Sequence, residues 1–261
     1  CCLAIVEGAP EGKLRQMRAY GAKLFRVKGL GVSPAVSTEV MMGLKGLAKE
    51  LDLGHEVSAF AISPQGMAGV QTIGHEIADF FGQEYFNVFS PAGGGGLTLA
   101  VARGVDNSGG RGRVHCVQPE GNDTIASALR EGRDVAAAVD STTEISGLQV
   151  GGVLDGNYVI EACRRQGGHG YSVADQQAWV WQKRLAQEEG VFCEPAGAVA
   201  LAGVAQALER KEIPVGENIV SLVTGSGFKD EKSLRQMTGE EGTPIVSGFQ
   251  EFSDRVRGEF S

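Results

Sequence analysis

The segment SPAGGGGLTLAVARG, Ser90 to Gly104, sets Gly93, Gly94, Gly95 and Gly96 between an apolar run and a helical pattern. Glycine in such numbers is costly unless the backbone has to approach something closely. Amide N–H groups at the start of a helix, together with the positive end of its dipole, form a cup for an anion, and phosphate is the natural guest. The groups that would close on it are those of the four glycines and the N–H of Leu97. A flexible turn or a close helix–strand crossing explains any single glycine here equally well; four in succession favour the anion. A Walker loop is excluded because no lysine follows Gly96. The dinucleotide pattern GxGxxG or GxGxxA is excluded too, because its third position falls on Thr98 or Leu99. Glu120, just past the next strand, stands where a ribose-binding carboxylate would, although an acid at a strand end is ordinary.

A second glycine turn closes the apolar run NIVSLVTGSG, where Thr224 precedes Gly225, Ser226 and Gly227. A hydroxyl can meet a heterocyclic nitrogen without forcing it to be protonated, as a carboxylate would. The alternative is that Thr224 simply caps a turn. In a doubly wound sheet ligands bind at the carboxyl ends of the strands, which would put Thr224 and the glycine loop on one edge.

The elements that must position these residues alternate. Apolar runs at LAIVE (3–7), KLFRV (23–27), VSAFAI (57–62), YFNVFS (85–90), VHCVQ (114–118) and NIVSLV (218–223) are separated by helical patterns. Helices are expected over 11–21, 38–51, 68–81, from about 95, from Asp123 to about Arg130 with Asn122 as N-cap, over 172–190, and over 194–210. Ser172 with Asp175 reads as an acidic capping box, and Gly190 as a helix stop. GGVLDGN (151–157), RRQGGHG (164–170) and DNSGGRG (106–112) read as loops. Such alternation predicts an α/β fold with a doubly wound parallel sheet.

Composition narrows the function classes. With 261 residues, 42% hydrophobic and 21% charged, the chain can bury a sizeable core, and no apolar run approaches the roughly 20 residues of a membrane span. A formal charge of −8 with scattered Lys and Arg argues against a nucleic-acid surface. Five cysteines (Cys1, Cys2, Cys116, Cys163, Cys193) include no CxxC, so neither a disulfide framework nor a zinc site is indicated and a cytoplasmic location is expected. The four histidines share no spacing and are read as structural or surface residues. CCLAIV at the start, without Met, leads us to expect a fragment.

Taken together, PAGGGGL (91–97), VQPEGNDTIASALREG (117–132), LAQEEGVFCEPAGAVALAGV (185–204) and LVTGSGFKD (222–230) resemble the fold-type II pyridoxal-phosphate enzymes, the tryptophan synthase β superfamily. EGAPEGKLRQMRAYGAKLFRV (7–27) is similar to that family's small-domain helix–strand unit. Within the superfamily the nearest resemblance is to threonine synthases: TGSGFKD is similar to their TGHGLKD, and EEGVFCEPAGAVALAG to EEGIFVEPASAAALAG. The chain departs from them at Ser226, where histidine is common, and at AGVQT (68–72), where EGxKT is usual.

The resemblance implies a large α/β domain over 62–261 and the remainder of a smaller one over 1–61. It implies pyridoxal 5′-phosphate held by Gly93, Gly94, Gly95, Gly96 and Leu97, with Thr224 at the pyridine nitrogen. Glu194 would support the ring edge or the Thr224 turn, or else simply sit at a helix N-terminus. The implied reaction is conversion of O-phosphohomoserine to threonine and phosphate. A small amino-acid substrate is then expected, with no nucleic acid, no membrane and compatibility with a homodimer. The family also needs a lysine that forms an imine with the cofactor, in a segment like SxKxR, and an asparagine in SGNHG; none of the nine lysines lies in such a segment. Both segments are expected upstream of residue 1, and the chain alone is expected to be inactive. Threonine or serine dehydratases, diaminopropionate ammonia-lyases and cysteate or cysteine synthases share the scaffold, and a non-catalytic relative that binds a phosphorylated ligand is the remaining alternative.

Overall fold

Runs rich in Val, Ile and Phe become strands where both of their faces can be covered, and the chain builds two parallel sheets from them. The computed structural model describes residues 1–239 and 242–260, so residue 261, the end of the expected large domain, lies outside the described residues. β1 (Cys2–Val6) and β2 (Lys23–Val27) form a two-stranded sheet, joined by α1 (Glu11–Ala19) and followed by α2 (Pro34–Glu50), a helix that buries none of its residues. After α3 (Pro64–Val70) and α4 (Thr72–Phe81) come β3 (Tyr85–Pro91), α5 (Gly96–Asn107), β4 (Arg111–Pro119), α6 (Ala126–Glu131) and α7 (Gly156–Arg165). β5 (Gly170–Val173), α8 (Asp175–Glu188), α9 (Pro195–Glu209), β6 (Asn218–Ser221), α10 (Glu231–Thr238) and α11 (Phe249–Glu259) complete the order. The second sheet runs β5-β4-β3-β6, every pair parallel.

Its two faces are buried in different layers. Phe86 and Val88 of β3 pack with Leu99, Val101 and Val105 of α5 and with Val159 and Ile160 of α7. The alternate position, Phe89, packs on the other side with Val117, Tyr171 and Val199. Phe86, Val88 and Phe89 are fully buried, and each contributes about 1.5–3 kcal/mol of transfer free energy. The helix–sheet contacts therefore clamp β3, and with it the start of the glycine loop.

Several expected boundaries move. VSAFAI is not a strand but an irregular run of bends and turns over 57–62: the Phe60 and Ala61 amides bond to Asp155, and those of Val57, Ala59 and Ile62 bond within the segment and to Ser63, so none of these is left to pair with a strand. The helix expected over 68–81 is two helices that meet at Gln71. Asn122 is not an N-cap: it closes a 3-10 turn (Glu120–Asn122) and its side-chain amide pairs with both backbone groups of Val150, while Asp123 accepts the Ser127 N–H before α6. Ser172 lies in β5 and bonds Asp123, so the start of α8 is held by Gln177 Oε1 accepting from Ala174 N at 3.1 Å. The expected loops GGVLDGN and RRQGGHG flank α7, which begins at Gly156 and ends at Arg165, and Gly170 opens β5. DNSGGRG likewise surrenders Asp106 and Asn107 to α5 and Arg111 and Gly112 to β4.

Behind β3 the second face carries a polar core. His115 Nδ1 accepts the His169 amide at 3.0 Å, so its proton is on Nε2, which donates to Asn87 Oδ1 at 3.2 Å. Asn87 Nδ2 donates to Glu217, which also pairs with Arg113. Burial first, then the neighbouring His169 and Arg113 charges, pulls the His115 pKa from 6.5 down to about 3. The unfolded chain therefore binds a proton that the folded chain refuses between those values, and stability should fall as pH drops from 6.5 towards 3. Urea unfolding across that window measures it. His115→Gln, which keeps a donor and an acceptor without a titrating ring, should flatten the slope by up to about one proton.

Candidate functional site

Pro91 ends β3 and Gly96 opens α5, so the turn between strand and helix is Ala92 followed by Gly93, Gly94 and Gly95. Gly95 has φ +95°, the left-handed conformation that costs any residue with a Cβ, and it is the N-cap of α5. The loop's carbonyls are engaged: Gly93 O accepts from Gln118 Nε2 at 3.1 Å, Gly94 O from Asp155 N at 3.1 Å and Gly95 O from Leu99 N at 2.9 Å. Its amides are not. Among the described residues, the N–H groups of Gly93, Gly94, Gly95, Gly96 and Leu97 have no acceptor within the chain. Five donors left open at the N-terminus of a twelve-residue helix make a binding surface for an anion.

The other side of each glycine is closed. A Cβ on Gly94 would lie 2.9 Å from Leu154 Cδ1, one on Gly95 2.8 Å from Val159 Cγ2, and one on Gly96 2.6 Å from Ser58 O. Asp155, fully buried, holds that last contact in place: its carboxylate accepts the Phe60 amide at 2.7 Å and the Ala61 amide at 3.1 Å. Gln118, also fully buried, ties the loop to the start of α6 by accepting the Ile125 and Ala126 amides at 2.7 and 2.9 Å. The cup is thus rigid on its protein side and open on its amide side.

Thr224 lies on the same edge. β6 pairs with β3 in the register Phe89 to Ser221, and Leu222 N donates to Phe89 O at 3.0 Å, so the chain leaves the two neighbouring strands side by side. Three residues past each paired position stand Ala92, before the glycines, and Thr224. The Thr224 backbone is wedged against Gly197, where a Cβ would meet its carbonyl at 2.3 Å. Its hydroxyl has no hydrogen-bond partner among the described residues, so it caps no turn. Glu194 is the N-cap of α9; its amide donates to Gly225 O at 3.2 Å and its carboxylate lies where a Gly225 side chain would have been, 2.0 Å from the position of that Cβ. Glu120, by contrast, is exposed in its 3-10 turn.

Two participants escape a reading of the sequence. Asp155 follows the glycine loop by some sixty positions within a segment read as a loop, and nothing local connects it to residues 60 and 61. Lys13 of α1 reaches Ser146 and Glu194 only once the two sheets are assembled, its Nζ 2.9 Å from Glu194 Oε2. The Lys13 signal was present, as part of the helix–strand unit over 7–27, but not its partner.

Residues 1–225 match the family described as "Pyridoxal-phosphate dependent enzyme". The chain belongs to this family. Its cofactor is pyridoxal 5′-phosphate. Among curated relatives the chain is similar to threonine synthase of Methanocaldococcus jannaschii, 30% identical over 88% of this chain and 57% of that protein. It is similar as well to threonine synthase of a Bacillus species, 25% identical over 99% of this chain and 70% of the relative. It therefore spans 57% and 70% of the lengths of these two relatives. Of solved structures, the processed form of threonine deaminase isoform 2 from Solanum lycopersicum matches with a TM-score of 0.67 at 24% identity, over 93% of this chain and 66% of that one. A fungal L-serine ammonia-lyase from Rhizomucor miehei matches with 0.68 at 17%, over 92% and 74%. These two likenesses establish the fold, an α/β architecture with parallel sheets shared with this enzyme family.

The residues present suit the phosphate and ring of that cofactor. Open amides suit a phosphate monoester, and an unpartnered hydroxyl just past the end of the adjacent strand suits an uncharged ring nitrogen. Among the described residues no helix is long and apolar enough to cross a membrane, and no cluster of His, Cys, Asp or Glu is placed to hold a metal.

Proposed function

We propose that this chain grips pyridoxal phosphate for a lyase of the threonine synthase kind, acting on O-phosphohomoserine to give threonine and phosphate. The observation that carries the reading is the pairing of the five open amides from Gly93 to Leu97 with the Thr224 hydroxyl on one sheet edge. Gly93, Gly94, Gly95, Gly96 and Leu97 would hold the phosphate, the helix dipole of α5 adding to their donors. The Thr224 hydroxyl would meet the pyridine nitrogen, with the Thr224 backbone fixed by its close packing on Gly197. When bound, pyridoxal phosphate supplies an electron sink for charge developed on an amino-acid substrate. Asp155 and the segment over 58–61 wall the helix end of the cup, and so limit the water that competes for its amides.

We divide the chain into 1–61, belonging to a smaller α/β domain, and 62–261, the cofactor-binding domain; the separate β1–β2 sheet supports the division. No lysine of the chain lies in an SxKxR segment, so the chain by itself should hold the cofactor without turning it over. The relatives' names favour the threonine synthase reaction. A panel of amino acids given to the full-length gene product with cofactor tests it. Release of phosphate from O-phosphohomoserine is expected; ammonia and a 2-oxo acid from serine or threonine, without phosphate release, would replace this reaction with a dehydratase.

A further inference from the structure

The most enclosed charge pair near the candidate site joins the two sheets. Lys13 and Glu194 have side chains only 18% and 11% exposed, and their Nζ and Oε2 are 2.9 Å apart. Lys13 also donates to Ser146 Oγ at 3.2 Å and Ser146 O at 3.4 Å. Its helix reaches that far because Gly12 lets α1 close onto the turn after Thr224: a Cβ there would stand 2.9 Å from Phe228 O. Gly147, next to Ser146, is looser, with its Cβ position at ordinary contact distance, 3.4 Å, from Lys13 Nζ. On the other side, the Glu194 carboxylate fills the space above Gly225, which adopts φ +52°, immediately after Thr224. The Glu194 carboxylate is thereby lodged against Gly225, next to the residue whose hydroxyl is open, with the Lys13 ammonium group in contact with it.

We propose that Lys13 is a positioning residue that neutralises Glu194 beneath the Thr224 turn, so that a pyridine nitrogen held at the Thr224 hydroxyl stays unprotonated. The proposal rests on the cofactor reading above. An unpaired carboxylate beside a basic nitrogen raises its affinity for a proton; a cation in contact with that carboxylate removes most of the effect. The pair is shielded from water on most of its surface, so the cancellation is not screened away as it would be at an exposed site. Other charges around it are Glu11 of α1, which pairs with Arg18, Lys229 and Asp230 of the turn, and the Lys232–Glu144 ion pair, with the N-terminal dipole of α9 behind Glu194. All of these are unchanged between the variants compared below.

The probe is pyridoxine 5′-phosphate, which carries the phosphate and ring but no aldehyde, and the readout is the ultraviolet absorbance of the bound ring as a function of pH. Lys13→Met should move proton uptake by the bound ring up by about one pH unit, and Glu194→Gln should move it down. The double variant should return close to the unaltered protein, and Lys13→Arg should follow it throughout. Loss of structure alone would not move the two single variants in opposite directions. If Lys13→Met does not fold, the downward shift in Glu194→Gln and the unchanged titration of Lys13→Arg must still be seen. Shifts of the same sign, or none, in protein that binds the probe would overturn the role given to Lys13. Failure of the unaltered protein to bind the probe would instead overturn the cofactor reading, and this inference with it.

Discussion

Replacing Gly95 with alanine is expected to lower the affinity for pyridoxal 5′-phosphate by about tenfold or more, a loss of about 1.4 kcal/mol. It should also destabilise the chain by about 2–4 kcal/mol. Two effects add in the stability term. Alanine at φ +95° suffers the clash that makes left-handed backbone rare, and its Cβ would press on Val159 Cγ2 at 2.8 Å and Ile125 Cδ1 at 3.0 Å in the layer behind the loop. If the backbone instead leaves the left-handed region, the peptide joining Gly95 to Gly96 turns and its N–H no longer points with its neighbours. Gly132 supplies the control. It has φ +72° at the end of α6, but a Cβ there meets nothing within 4 Å, so Gly132→Ala should cost about 1 kcal/mol and leave the affinity unchanged. Urea unfolding and calorimetric titration with the cofactor separate the two terms.

Asp155→Ala should destabilise the chain by about 2–4 kcal/mol, since it deletes two charge-assisted bonds, to the Phe60 and Ala61 amides. It should also weaken cofactor binding several-fold, because the segment that brings Ser58 O against Gly96 then loses its two bonds to Asp155 and keeps its internal hydrogen bonds and its packing, including the Arg103 guanidinium 4.4 Å from the centre of the Phe60 ring. Asp155→Asn keeps one acceptor oxygen and should lose about half as much stability. A mere surface role for Asp155 would leave both quantities within about 0.5 kcal/mol of the unaltered protein. The same calorimetric and urea measurements decide.

Where periodicity and punctuation agreed with tertiary packing, the fold could be read directly. KLFRV is β2 to the residue, and YFNVFS is β3 short of Pro91. Gly190, at φ +68°, ends α8 as its position predicted. Where a residue's local preference was overridden, it could not. Gly156 punctuates a loop by composition, yet it begins α7, and the glycine answers close packing instead of a turn: a side chain there would press on Ala136 and Ile125, at 3.0 and 3.1 Å. VSAFAI has strand composition, but two of its amides, those of Phe60 and Ala61, are claimed by a carboxylate almost a hundred positions away. The glycine loop and the Thr224 turn were readable as motifs and expected on one edge; the register of β3 and β6 makes them next-door neighbours there. The supports behind them, Gln118, Asp155 and the Lys13–Glu194 pair, are long-range contacts that leave no local pattern.

In the proposed function the amides from Gly93 to Leu97 and the Thr224 hydroxyl grip one ligand. Amide proton–nitrogen correlation spectra of the labelled chain, recorded with increasing pyridoxal 5′-phosphate, test it most directly. The resonances of Gly93, Gly94, Gly95, Gly96, Leu97 and Thr224 should move together along a single saturation curve. Saturable binding that moves other amides and leaves these six in place would contradict it.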